Sequence, residues 1–143
     1  MKHGDLSNMT SPVIAFNADN LLFKNREDKS IVKTVLDKFK SEEQIYLNRD
    51  LDHKFLDLLE RIWLHEVVSI HLVSFQSFAG DIEDYAREKG VLFTSMYEVK
   101  DFNEFILRVR NRYMYYFDND TQLLSKINCK NAMHIDDIKK IIK

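Results

Sequence analysis

The sequence predicts an α/β fold in three layers, a doubly wound five-stranded parallel sheet with helices on both faces. Five short apolar runs alternate with segments of helical periodicity, the pattern of a parallel sheet. Glycine and proline are scarce, at three and one of 143 residues, which argues against a turn-rich β-sandwich. The run at 67–73 is β-branched and has few charges, as in a central strand. The strands are predicted at 13–16, 69–73, 91–94, 113–117 and 132–135.

The helices are predicted from apolar spacing and from residues that commonly cap helices. Asp101, followed by Glu104 three residues later, is similar to a capping box and opens one helix. Gly90 is placed to end another helix in the left-handed conformation. Asp136 is expected to cap the last helix. The predicted helices span 31–39, 51–64, 81–89, 101–112, 121–127 and 136–142.

Length and composition predict a single domain over 13–143, preceded by a loose polar arm at 1–12. The formal net charge is -2 with no dominant basic stretch, so no extended nucleic acid is expected as a partner. Cys129 is the only cysteine, which excludes a disulfide framework and a cysteine-based zinc site. No apolar run approaches the roughly 18 residues of a membrane span, and no signal sequence is recognised. A soluble, cytoplasmic protein with no membrane partner is expected.

Candidate functional residues follow the predicted strands. In doubly wound sheets, ligands bind at the carboxyl ends of the strands, near the point where strand order reverses. The polar residues at these ends are Asn17, Asp19, Ser74, Asp118, Asn119, Asp120, Asp136 and Asp137. We therefore expect the functional site among these side chains.

Three of these strand ends resemble the motifs of the haloacid-dehalogenase-like (HAD) superfamily. That family has one strand ending in acid-x-Asp, a second ending in Ser or Thr, and a fourth ending in Asp. The corresponding segments are residues 13–19, 70–74 and 115–120. The resemblance covers about residues 13–142 and implies strand order 5-4-1-2-3. No insertion is long enough for a separate cap domain, so the chain resembles a cap-less, minimal member.

The resemblance implies catalytic roles for four positions. In the family, an aspartate at the position of Asn17 attacks phosphorus and forms an aspartyl-phosphate. Asp19 corresponds to the acid/base that protonates the leaving group and then activates water. Ser74 and Lys100 correspond to the residues that hold the phosphoryl oxygens. The activity implied is hydrolysis of a phosphorylated small molecule.

The resemblance also implies a magnesium site. The family holds Mg²⁺ with the nucleophile, the backbone carbonyl of the second aspartate and the acid after the fourth strand. Here these positions are Asn17, Asp19 and Asp118, with Asp120 as a further candidate. Because an amide oxygen carries less charge than a carboxylate, we expect cation binding to be weakened.

Asn17 departs from the family at its most important position. A neutral amide is a poor nucleophile, and phosphate monoesters need up to ~10²¹-fold acceleration. Because Asn and Asp are nearly isosteric, the fold is expected to survive. The departure fits natural decay of the site or an engineered substrate trap.

Three functions remain open from the sequence. The first is a binding module for Mg²⁺ and a phosphorylated small molecule, without turnover or with feeble turnover. The second is an active nucleotide or sugar phosphatase, either one in which Asn17 is a variant or one that uses an atypical nucleophile. The third is an interaction scaffold that binds a protein partner or forms a homodimer. The enzyme is expected to be inactive as written.

Simpler structural roles compete for several of these residues. Asp120 is also placed to cap the helix that begins at residue 121. Lys100 also fits a solvated surface position. His71 and His134 are expected to be hydrogen-bonded core residues, and Tyr116 belongs to an aromatic run expected to pack in the core.

Overall fold

A computed structural model describes residues 11–24 and 50–142 of the chain. The described strands form one five-stranded sheet in which every pairing is parallel, in the order β3-β2-β1-β4-β5. This order is the predicted 5-4-1-2-3 read from the other edge, so the predicted parallel α/β architecture is confirmed. The strands are β1 (Val13–Asn17), β2 (Ser69–Ser74), β3 (Ser95–Glu98), β4 (Tyr115–Asp118) and β5 (Ala132–His134).

Helices connect the strands and begin at capping side chains. Asp101 accepts hydrogen bonds from the N–H groups of Asn103 and Glu104, as predicted, and Asp52 caps the long helix before β2 in the same way. Gly90 follows the next helix with a φ of 78°, the left-handed conformation expected of it. The α-helices are α1 (Ala18–Leu21), α2 (His53–His65), α3 (Ala79–Glu88), α4 (Phe102–Asn111) and α5 (Thr121–Ile127).

Two apolar clusters, one on each face of the sheet, hold the layers together. On one face, Phe16, Ile70 and Leu72 pack against α2 and α3. On the other face, Ala15 and Val73 pack against α4 and α5. β1 and β2 are buried along their whole length, which explains why their sequences are mostly apolar and contain no Asp, Glu, Lys or Arg. The strand ends that carry the candidate site therefore belong to a sheet that is covered on both faces.

The predicted third strand at 91–94 is wrong. Val91 and Phe93 are buried in the core, but β-pairing begins only at Ser95, opposite His71. Thr94 makes the transition, because its hydroxyl accepts a hydrogen bond from the N–H of Ile70. Apolar content at 91–93 thus marks burial, whereas the strand itself lies at the sheet edge and is only half-buried.

The chain also differs from the predictions near its ends. The last helix is a 3₁₀ helix (Ile135–Lys140), and its cap is His134, whose Nδ1 accepts from the N–H of Asp136, so the predicted Asp136 cap is wrong. The short helix α1 was not predicted. The predicted helix at 31–39 and most of the arm at 1–12 lie outside the described residues. Within residues 11–24 and 50–142, no helix is long and apolar enough to cross a membrane.

Candidate functional site

The polar residues at the ends of β1, β2 and β4 converge at the carboxyl end of the sheet. Because β1 pairs with β4 in register Phe16 to Phe117, the next residues, Asn17 and Asp118, lie side by side. Asp19 lies in α1, directly after β1, and reaches Ser74 at the end of β2. The structure thus brings together four of the predicted site residues, all of them buried.

Asp118 is the centre of this group and accepts five hydrogen bonds from the protein. Its relative exposure is 0%, so its carboxylate depends on these donors in place of water. Oδ1 accepts from the Asn20 side-chain amide at 2.9 Å and from the backbone N–H groups of Asn119 at 2.7 Å and Asp120 at 3.1 Å. Oδ2 accepts from the Asn17 side-chain amide and the Tyr116 hydroxyl, both at 2.8 Å.

The side chain of Asn17 links Asp118 to the start of α1. Its Nδ2 donates to Asp118, while its Oδ1 accepts from the backbone N–H of Asn20 at 3.3 Å. These two bonds fix the orientation of the amide, because a flipped amide would place its oxygen against the Asp118 carboxylate and its NH₂ against the Asn20 N–H. Asn17 therefore acts here as a helix cap and as a donor to a buried carboxylate.

Asp19 is held by two donors from the end of β2. The Ser74 hydroxyl donates to Oδ1 at 2.7 Å, and the backbone N–H of Phe75 donates to Oδ2 at 2.8 Å. Burial raises the pKa of Asp19, the two hydrogen bonds oppose this rise, and the negative charge of Asp118 adds to it. A raised pKa is the direction that a carboxyl group needs to serve as a general acid.

Tyr116 and Asn20 belong to this network and were missed in the sequence. Burial and the neighbouring Asp118 carboxylate raise the pKa of Tyr116 well above its ordinary value, so its hydroxyl stays protonated and donates. A signal was present, because residues two apart on a strand point to the same face, and Tyr116 stands two before Asp118. Asn20 stands three after Asn17, a common capping distance.

Lys100 and Asp120 do not join the network through their side chains. Lys100 lies in the exposed turn between β3 and α4 and makes no hydrogen bond or ion pair with other described residues. The exposed Asp120 caps α5 by accepting from the N–H groups of Gln122 and Leu123. The proposed phosphoryl clamp is thus represented only by Ser74.

The residues present do not fit the magnesium ion that the resemblance implies. A carboxylate offers about four lone-pair positions, and Asp118 already accepts five hydrogen bonds. Asn17 presents an N–H group toward Asp118, whereas Mg²⁺ requires oxygen ligands in near-octahedral geometry. Within the described ranges, no group of three or more His, Cys, Asp or Glu side chains is arranged to hold a metal ion.

An open groove of about 590 Å³ adjoins the network through Asn20 and Asn119. It runs between α2 and the 3₁₀ helix, with the apolar side chain of Phe55 in its wall. Three basic and three acidic side chains also line it, so its charges do not select an anion. They are Lys54, Arg61, Lys139, Asp52, Asp57 and Asp136.

A second buried polar group lies on the α4 face of the sheet. His71 is a core residue as predicted, but its Nδ1 has no hydrogen-bond partner among the described residues, and neither has the Tyr113 hydroxyl. Burial, followed by the charges of Arg112 and Arg108, lowers the pKa of His71 to about 4. Burial also raises the pKa of Tyr113 to about 12, and nearby Arg108 opposes that rise without reaching hydrogen-bond geometry.

Comparisons with known proteins found no match to this chain. No protein-family model, no curated protein and no solved structure matches it.

Proposed function

We propose that this chain is a HAD-like protein that does not turn over phosphate esters as written. It would be a pseudo-phosphatase in which the residues of a former reaction site have become a hydrogen-bonded network. The support is the confirmed strand order together with Asn17, Asp19, Ser74 and Asp118 at the ends of β1, β2 and β4.

The proposal depends mainly on the chemistry and the hydrogen bonds of the Asn17 side chain. Its side chain lacks the anionic oxygen that would attack phosphorus, and its amide is engaged with Asp118 and Asn20. No neighbouring carboxylate takes over this role. Asp19 is held by Ser74 and Phe75, and Asp118 is buried beneath five donors. The chemistry therefore stops before the first covalent step.

The other half of the reaction site is better preserved. Asp19 keeps a raised pKa and a fixed orientation, both suited to general acid catalysis. We therefore expect Asn17→Asp to hydrolyse an aryl phosphate at least about 100-fold faster than the wild-type chain in the presence of Mg²⁺. That increase corresponds to about 2.7 kcal/mol of activation barrier.

The test measures steady-state hydrolysis of p-nitrophenyl phosphate by both proteins, with Mg²⁺ and with a chelator. The double variant Asn17→Asp/Asp19→Asn is the matched control, because it has the nucleophile but not the acid and should lose the gained activity. Mass spectrometry of the wild-type preparation excludes deamidation of Asn17.

Two outcomes would contradict this interpretation in different ways. Robust turnover by the Asn17 protein would show that it is an active enzyme. Absence of hydrolysis by both proteins would favour the interaction scaffold, because decay of the site would then extend beyond one residue.

A further inference from the structure

We infer that the amide of Asn17 takes the place of a divalent cation beside Asp118, so that this buried carboxylate is stabilised without metal and the site is closed to Mg²⁺. The inference concerns cation binding, and it can fail while the proposed lack of turnover stands.

A buried carboxylate needs compensation from its surroundings. Transfer of an isolated charge from water into a protein interior is so unfavourable that the group is paired, hydrogen-bonded or neutralised. Asp118 has no exposed surface and no cationic side chain as a hydrogen-bond partner among the described residues. Its compensation comes from five N–H and O–H dipoles, two of them from the side-chain amides of Asn17 and Asn20. These groups stabilise the negative charge of Asp118, which a metal ion would otherwise do.

Binding of Mg²⁺ would require this arrangement to be dismantled. The Asn17 Nδ2 lies 2.8 Å from Asp118 Oδ2, where its hydrogens would repel a cation that approached both side chains. Rotation of the amide would turn its oxygen toward the ion, but it would break the bonds to Asp118 and to the Asn20 N–H. Mg²⁺ dehydrates reluctantly and demands oxygen ligands, so a site that must first lose two hydrogen bonds binds it poorly.

A carboxylate at position 17 would reverse this preference. Asn17→Asp would place two carboxylates at about the 2.8 Å that now separates amide and carboxylate. Like charges at this distance cannot both ionise unless a proton or a cation lies between them. The variant should therefore gain a Mg²⁺ site and depend on it for stability, whereas the wild-type chain should do neither.

The experiment measures thermal unfolding by circular dichroism, with a chelator and across millimolar Mg²⁺, for four proteins. The wild-type midpoint should move by less than about 1 °C, and the Asn17→Asp midpoint should rise by at least about 5 °C at saturating Mg²⁺. The double variant Asn17→Asp/Asp118→Asn exchanges amide and carboxylate at constant charge and should stay insensitive to Mg²⁺. Asn103→Asp adds the same charge at an exposed position outside the network and should also be insensitive.

Calorimetric titration of the wild-type protein with Mg²⁺ keeps the inference testable even if Asn17→Asp fails to fold. Absence of saturable binding in the millimolar range supports it. Saturable submillimolar binding that Asp118→Asn abolishes would overturn it, and so would an Asn17→Asp protein that folds normally and ignores Mg²⁺. Turnover by the wild-type chain in the presence of a chelator would refute the proposed function but leave the closed site intact.

Discussion

Two buried polar groups lie on the same sheet, and they differ in how many hydrogen-bond partners they have. At the carboxyl ends of the strands, the Asp118 carboxylate accepts five hydrogen bonds. On the α4 face, His71 Nδ1 and the Tyr113 hydroxyl have no hydrogen-bond partner among the described residues, although both residues are less than 10% exposed. The two aromatic rings contact each other edge to face, with centroids 6.0 Å apart.

The difference follows from charge. Burial holds His71 and Tyr113 in their neutral forms, with the pKa of His71 at about 4 and that of Tyr113 at about 12. A neutral group without a partner costs about 1–3 kcal/mol, whereas an uncompensated buried charge costs far more. Among the described residues, the fold therefore tolerates two neutral polar atoms without partners but surrounds the one fully buried carboxylate with donors.

The largest effect should come from removal of that carboxylate. Asp118→Ala would leave the buried Asn17 amide and Tyr116 hydroxyl without their acceptor, and at about 1–3 kcal/mol for each donor we expect a loss of about 2–6 kcal/mol in the free energy of unfolding. Urea denaturation monitored by circular dichroism measures this loss. Asp120→Ala, two residues away, removes only an exposed helix cap and should cost about 1 kcal/mol. Equal losses in the two variants would mean that the network around Asp118 contributes no more to stability than a single exposed helix cap.

A smaller difference in stability is expected between variants of two tyrosines, Tyr116 and Tyr113, whose hydroxyl groups differ in their hydrogen-bond partners. Tyr116→Phe removes a donor to a charged acceptor and should destabilise by about 1.5–3 kcal/mol. Tyr113→Phe removes a hydroxyl that has no hydrogen-bond partner in the described part of the chain, and it should be neutral or stabilise by up to about 1 kcal/mol. The same denaturation experiment on both variants gives the difference directly. If Tyr113→Phe costs as much as Tyr116→Phe, the Tyr113 hydroxyl makes a hydrogen bond in solution.

The smallest effect concerns pH. The pKa of His71 is lower in the folded chain, about 4, than in the unfolded chain, about 6.5, so the unfolded state binds the proton first as the pH falls. The contribution of neutral His71 to stability is present above pH 6.5 and is lost progressively toward pH 4, by an amount on the order of 1 kcal/mol after allowance for solvent screening.

Replacement of the histidine isolates this contribution from the titration of carboxylates. The free energy of unfolding of His71→Leu should decline less steeply between pH 7 and pH 5 than that of the wild-type chain. His65→Leu, at an exposed position at the end of α2, is the control for replacing a histidine by leucine outside the core. Parallel profiles for all three proteins would argue against a neutral, buried His71.

The central strands and most described helices could be predicted because burial and capping leave local marks in the sequence. β1 and β2 are buried on both faces and give mostly apolar runs without Asp, Glu, Lys or Arg, and Asp101 marks the start of α4. β3 could not be placed, because an edge strand that is half-exposed has no such run. The apolar residues before it are buried by contact with α3 and the sheet, without β-pairing. Hydrophobicity reports burial, whereas pairing depends on neighbours distant in sequence.

The sequence predicts which residues form the site, but it does not predict the hydrogen bonds between them. Asn17, Asp19, Ser74 and Asp118 were expected to converge because parallel strands bring their carboxyl ends together. The five donors around Asp118 were not foreseen, because Tyr116 was assigned to core packing and Asn20 had no assigned role. A side chain that packs and also donates looks the same in sequence as one that only packs.

The short outer strands have a consequence for self-association. β3 and β5, at the two edges of the sheet, are only four and three residues long, and long bare edges are the usual template for unwanted pairing between chains. On the β3 side, Arg87 donates to the carbonyl of Thr94 just before the strand, and the Arg108 guanidinium covers the ring of Tyr97 at 3.9 Å. These features oppose aggregation through the sheet edges. Pairing of two copies of this chain by continuation of the sheet is therefore disfavoured at the β3 edge.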